Sequence, residues 1–298
     1  MYARFIIFVI LASLANSQLR QSSINTYFYS KLNPVLGYNV NITDQSILKR
    51  VNYSNKKDTV FIIHGYLEMP TTSISSSQEI KNSILSKYDA NLIVVDYGNP
   101  AAIFYPAAVQ QVTPIAGRLS RMIKSMIDNS GLALNTTKII GVSLGAHIAG
   151  ITGYNLNGEV EEIIALDPAG PLFAAGESTN RLSKSSAKFV HVIHTNGGGL
   201  GNLEPLGHAD YYVNGGRTQP ACGPIPIGLC PHGLSVTYYS ESIRRGRFKA
   251  KKCSDYRKFK SGGCENEEES WMGGYDLDKK ANGTYYLDTN ASPPYAKN

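Results

Sequence analysis

Cysteine is scarce in this chain. Four residues in 298 carry it, Cys222, Cys230, Cys253 and Cys264, all in the last third. That excludes a small scaffold built on disulfides instead of a core. Neither neighbouring pair has the close C-x2–4-C spacing of a structural zinc site, so no metal is expected. Of the three pairings that four cysteines allow, the short loops favour Cys222–Cys230 and Cys253–Cys264. Charge is also sparse, at 17% Asp, Glu, Lys and Arg against 42% hydrophobic residues, which excludes a disordered chain. Long apolar runs are missing as well. The stretch from Phe5 to Ala15 falls short of the roughly 20 residues needed to span a bilayer. With Arg4 before it and small residues after it, the stretch predicts a signal peptide over residues 1–17, removed after Ser17. Residues 18–298 then suffice for one large domain with a substantial core.

Repeats, low-complexity blocks and nucleic-acid motifs are also lacking. Net charge is +6, and the run "SIRRGRFKAKK" (242–252) is its densest part. No aromatic platform accompanies that run, so it reads as a solvated basic face and nucleic acid is not an expected partner. Sequons at Asn41, Asn52, Asn135, Asn282 and Asn290 predict surface positions in a secreted chain.

What is present is a series of short, β-branched runs ending in glycine-rich turns: "TVFIIHG", "NLIVVDYG", "TKIIGVS", "VEEIIALDPAG" and "KFVHVIHTNGGG". Runs of this length suit strands buried on both faces of a parallel sheet. Between the second and third, Ile115, Leu119, Met122, Ile123 and Met126 recur at helical spacing, and Gly131 supplies a C-terminal cap. The polar stretch "TTSISSS" (71–77) reads as a loop or a helix start. Strands alternating with helices predict an α/β architecture, in which function collects at the carboxyl ends of the strands. His64–Gly65, Ser143 and Asp167 each follow such a run, so all three are expected on one rim.

A serine between two glycines, "GVSLG", is weak evidence by itself. A serine hydroxyl becomes a nucleophile only with a base to take its proton, a carboxylate to orient the base, and donors for the oxyanion. At a nucleophile elbow the flanking glycines let strand and helix backbones approach, and the chain order is nucleophile, acid, histidine. Gly141 and Gly145 hold the glycine places, and Asp167 follows at the next strand end. Asp96 precedes the serine and breaks the order; Asp210 is a weaker rival. The base is one of His191, His194, His208 and His232. Late position, and restraint by the neighbouring Cys230, favour His232.

These residues carry a resemblance. From Thr59 to Ala296 the chain resembles the pancreatic-lipase superfamily, in the branch of animal neutral lipases and insect phospholipases A1. The motifs are "HGY", "VDYG", "GVSLGAHIAG", "LDPAGPLF", "HTN", "GHADYYVNGG", "QPAC", the cysteine-flanked His232, "FKSGGC" and "GTYYLDTN". The resemblance implies a single-domain α/β-hydrolase fold, a mostly parallel central sheet with helices on both faces. It implies a Ser143–Asp167–His232 triad, an oxyanion hole from the backbone N–H groups of Tyr66 and Leu144, and no metal or cofactor in the chemistry. Leu234 stands where family members often carry arginine. No C-terminal β-sandwich domain is expected, and with it no protein helper. The segment between Cys222 and Cys230, "GPIPIGL", is far shorter than the mobile lid of the triglyceride lipases. It leaves Ile225, Ile227 and Leu229 as a fixed apolar edge. The expectation is a secreted carboxylester hydrolase working on lipid at a membrane or micelle surface, with phospholipase A1 action at the sn-1 ester leading. Triacylglycerol or galactolipid hydrolysis is the alternative, and a non-catalytic lipid-binding or yolk-type protein the remote one.

Overall fold

The computed structural model describes residues 24–40, 46–98, 104–173, 180–223 and 228–297. The described residues open with a hairpin, β1 (Asn25–Ser30) and β2 (Asn33–Asn39), which no apolar run announces. The five runs then become β3 (Thr59–Ile63), β4 (Asn91–Asp96), β5 (Thr137–Val142), β6 (Glu162–Leu166) and β7 (Phe189–His194). Every residue of these five strands is buried except Asp96. Burial on both faces is why their sequences are continuous and β-branched instead of alternating. Four further strands complete the sheet: β8 (Ala209–Val213), β9 (Phe248–Lys252), β10 (Glu269–Met272) and β11 (Gly283–Leu287).

The eleven strands of the described residues form one sheet in the order β10-β9-β11-β8-β7-β6-β5-β3-β4-β1-β2. From β4 to β11 the neighbours run parallel; β1, β2, β9 and β10 are antiparallel additions at the two edges. Helices α1 (Ser76–Lys87), α2 (Tyr105–Ser130), α3 (Leu144–Tyr154) and α4 (Leu229–Arg245) cover the sheet, and the short α5 (Tyr256–Lys260) lies beyond β9. The period-2 geometry of a strand sends Phe61 and Ile63 to one face, with α2 and α3, and Val60 and Ile62 to the other, with α1 and α4. Each aliphatic side chain so buried contributes roughly 1.5–3 kcal/mol.

The helix expected between β4 and β5 is α2. Its stripe Ile115, Leu119, Met122, Ile123 and Met126 is fully buried, and Gly131 ends it in the left-handed conformation at φ 68°. The polar stretch before α1 is a loop that turns into a helix start, with the Ser75 hydroxyl accepting from Gln78 N–H. Both expected disulfides are formed, Cys222–Cys230 and Cys253–Cys264. The first ties the start of α4 to the segment before it. Asn52, Asn135, Asn282 and Asn290 are exposed, as their sequons predict. Asn290 differs in that its Nδ2 donates to the Pro294 carbonyl at 2.8 Å, so the nitrogen a glycan would use is already engaged. Asn41, residues 1–17, Ile225 and Ile227 lie outside the described residues. No helix among the described residues is long and apolar enough to cross a membrane.

Candidate active site

Because β3, β5, β6 and β7 are parallel, the turns at their carboxyl ends meet on one rim. At the end of β5, Ser143 has φ 54° and ψ −117°, and α3 starts at the next residue. A non-glycine residue held at positive φ costs on the order of 1–3 kcal/mol and persists only where its surroundings fix it. Here they do. A Cβ on Gly141 would lie 2.5 Å from the Gly145 carbonyl oxygen, and one on Gly145 would lie 2.4 Å from that of His64. Strand, turn and helix are therefore in backbone contact, which only glycine permits. Leu144 is the first residue of α3, so its N–H belongs to the helical donors that lack an intrahelical acceptor and carry the positive end of the helix dipole.

The turn after β3 faces Ser143 from the other side, where a Cβ on Gly65 would come within 3.3 Å of the Ser143 Cβ. This turn, which carries Tyr66, is fixed at both ends. The Tyr97 hydroxyl donates to the carbonyls of His64 (3.1 Å) and Gly65 (2.9 Å). Burial pushes the Tyr97 pKa well above the ordinary tyrosine value, so the hydroxyl remains a donor. The Glu68 carboxylate accepts from Gly65 N–H at 3.1 Å and from the Ser76 hydroxyl at 2.7 Å, linking the turn to the start of α1.

Asp167 follows β6 and is fully buried, with φ 43°. Its Oδ1 accepts from Thr195 N–H (2.8 Å) and Asn196 N–H (3.0 Å), both just after β7. Its Oδ2 lies 2.5 Å from Nδ1 of His232 in the first turn of α4, and the His232 side chain is 13% exposed. A carboxylate accepts only, so Nδ1 donates, and Nε2 is the nitrogen left able to take a proton. Beneath the carboxylate is Gly201: a Cβ there would lie 2.5 Å from both Asp167 oxygens. His147, one turn into α3, donates from Nε2 to the Ala169 carbonyl (2.8 Å) and accepts from Leu182 N–H at Nδ1 (3.3 Å). Ala169 N–H in turn donates to the Ser143 carbonyl at 3.2 Å, so the buried ring joins the acid's loop to the elbow. Burial pushes the His147 pKa down to about 4, which keeps it neutral.

The rival residues are placed elsewhere. His194 contacts the Asn202 carbonyl and Asp210, each at 2.9 Å, so both its ring nitrogens are engaged. Asp210 also accepts from Leu206 and Gly207 N–H groups. This second buried His–Asp pair pins the loop between β7 and β8. Nε2 of His191 accepts from Gly273 N–H, and burial lowers its pKa to about 3. His208 accepts from Val190 N–H at the amino end of β7, the opposite end of the sheet from Ser143. Asp96 accepts from Gly98 N–H and stands 3.8 Å from His64, too far for a hydrogen bond. Leu229, at the start of α4, is 82% exposed. No group of metal-ligating side chains occurs among the described residues.

A mostly parallel sheet covered by helices on both faces, with a serine at the sharp turn from strand to helix, is the α/β-hydrolase architecture. The chain belongs to the lipase family, whose model matches residues 10–295. Lipase member H of Danio rerio is 34% identical over 310 residues, covering 96% of this chain and 65% of the relative. Lipase member H of Rattus norvegicus is 40% identical over 216 residues, covering 70% and 47%. Phospholipase A1 member A of Bos taurus is 33% identical over 257 residues, covering 83% and 55%. The chain thus spans between 47% and 65% of these relatives' lengths.

Proposed function

We propose that this protein is a secreted carboxylester hydrolase of lipids, with Ser143 as nucleophile, His232 as base and Asp167 as the group that orients it. The observation that carries the reading is the Asp167–His232 contact at 2.5 Å, formed by residues from the strand end beside Ser143 and from the disulfide-tied start of α4. In the first step Nε2 of His232 takes the Ser143 proton as Oγ attacks the ester carbonyl. The N–H groups of Tyr66 and Leu144 receive the oxyanion, and one such donor is worth about 10²–10³ in kcat. His232 then gives its proton to the departing alcohol, leaving an acyl-enzyme. Water, activated by the same nitrogen, releases the fatty acid and restores the serine. Asp167 holds the ring in the tautomer this cycle requires.

Within that class the leading substrate is a phosphoglyceride cut at the sn-1 ester. The short segment between Cys222 and Cys230 supports it, as does the relative named phospholipase A1 member A. Two disulfides and the apolar amino-terminal stretch support secretion. The test offers phosphatidylcholine and triolein side by side and resolves the position of the ester cut. The expected product is a lysophospholipid that keeps its sn-2 chain. Release of fatty acid from triolein alone would move the assignment to a triacylglycerol lipase. Activity in Ser143→Ala within tenfold of wild type would remove the serine mechanism altogether.

A further inference from the structure

The three lysines of the densest basic run in the sequence pair with two neighbouring glutamates. On β9, Lys249 and Lys251 both pair with Glu269, at 3.0 and 2.9 Å, and Lys252 pairs with Glu268 at 3.0 Å. Cations without an ion-pair partner among the described residues collect somewhere the sequence does not reveal. Arg217, from the loop after β8, meets Arg257 and Lys258 of α5 around a surface groove of about 730 Å³. All three are exposed. The one acid lining the groove among the described residues, Asp255, accepts from Lys258 N–H and the Ser254 hydroxyl and also feels the Arg257 charge, so three cations face a single carboxylate.

The groove lies on the same rim as the proposed catalytic residues. The Arg217 carbonyl accepts from the Asn196 side chain, and Asn196 N–H is one of the donors that hold Asp167. The Tyr256 ring packs against Gly215 after β8, and its hydroxyl donates to Asp288 after β11. The same rim carries exposed apolar side chains on its loops and helix starts: Leu67, Met69, Phe104, Leu172, Leu200 and Leu229. An apolar border beside exposed cations in excess of acid matches one chemical partner in charge and polarity, a lipid surface bearing negative head groups.

We propose that Arg217, Arg257 and Lys258 dock this rim on anionic lipid surfaces, with the apolar border entering between the head groups. The docking rests on the lipid-hydrolase reading for its purpose but is measured without turnover. Ser143→Ala protein is sedimented with vesicles of phosphatidylcholine alone and with vesicles containing one third phosphatidylglycerol. Each basic residue at an anionic surface multiplies binding about fivefold, so the mixed vesicles should bind at least tenfold more tightly. The preference should disappear in 0.5 M salt. The variant R217E/R257E/K258E should lose it, and a control with as many reversals on α1 and α2, K87E/R121E/K124E, should retain it; melting curves confirm that both are folded. Equal binding to the two vesicles, or equal loss in the two variants, overturns the proposal. So does retention on a soluble sulfated polysaccharide without vesicle binding, which would make the groove a glycan site. Vesicle preference in Ser143→Ala, with wild-type protein that hydrolyses no lipid, supports the docking and refutes the proposed hydrolysis.

Discussion

Replacing Gly201 by alanine should damage the site through a single methyl group. The added Cβ would lie 2.5 Å from both Asp167 oxygens and 2.6 Å from Cγ, whereas ordinary contact begins at 3.4 Å. Something must therefore move by about 0.9 Å. The carboxylate cannot swing freely, because Thr195, Asn196 and His232 hold it at 2.8, 3.0 and 2.5 Å. If the loop retreats instead, it stretches the bonds of Gly201 N–H to Asn196 (3.0 Å) and of Gly198 N–H to Gly201 (3.1 Å). Either way the group that orients His232 is displaced. A misplacement of about 1 Å can cost on the order of a hundredfold, or about 2.7 kcal/mol of transition-state stabilisation. The loss should fall on kcat and leave KM nearly unchanged, read with a soluble short-chain p-nitrophenyl ester. Gly233→Ala is the matched control: it adjoins His232, yet a Cβ there meets nothing within 4 Å. Should Gly201→Ala keep kcat within threefold of wild type, or should both variants lose equally, Gly201 does not seat the acid.

Two further outcomes follow from the same geometry. His232→Gln should lose activity by orders of magnitude while His208→Gln, at the other end of the sheet, stays near wild type; the reverse pattern in steady-state rates would transfer the base to His208. The fold should weaken in acid, because His147 and His191 are buried and neutral, with pKa values lowered from 6.5 to about 4 and about 3. Their stabilising contribution is complete above pH 6.5 and is lost as pH falls towards those values. For His147 alone the loss is on the order of 3 kcal/mol. Denaturant midpoints at pH 7 and pH 4.5 test it, and equal midpoints would contradict buried neutral rings.

The centre of the sheet was legible because burial on both faces leaves a chemical trace. A strand such as "FIIHG" or "LIVVD" has no polar face to interrupt it. The edges leave less. In β2, "NPVLGYN", every residue is exposed or half-buried, so no period-2 pattern survives. In β9, "FKAKK", Phe248 and Ala250 do alternate inward, but the lysines between them read first as a basic face. Both readings hold at once, since those lysines sit on a strand and pair across it with Glu268 and Glu269 on the neighbouring segment.

Around Ser143 the legible part was what side chains announce: the glycines of the elbow, the Asp-Pro at the next strand end, the histidine beside a cysteine. Tyr97, Glu68 and Gly201 were not legible, because they act on backbone groups or by having no side chain, and "GGGLG" does not mark which glycine lies under a carboxylate. The sequence favoured His232 and Asp167 by position, but it did not show that His194 and Asp210 form a second buried pair. The distances within the two pairs, 2.9 and 2.5 Å, do not rank them. The difference lies in the remaining ring nitrogen. His194 has given its second nitrogen to the Asn202 carbonyl and is sealed at 0% exposure, so no position is left from which it could take a proton. Asp167 engages only Nδ1 of His232, and the side chain of that histidine stays 13% exposed. A pair that closes all its valences can hold a loop. A pair that leaves one nitrogen open can move a proton.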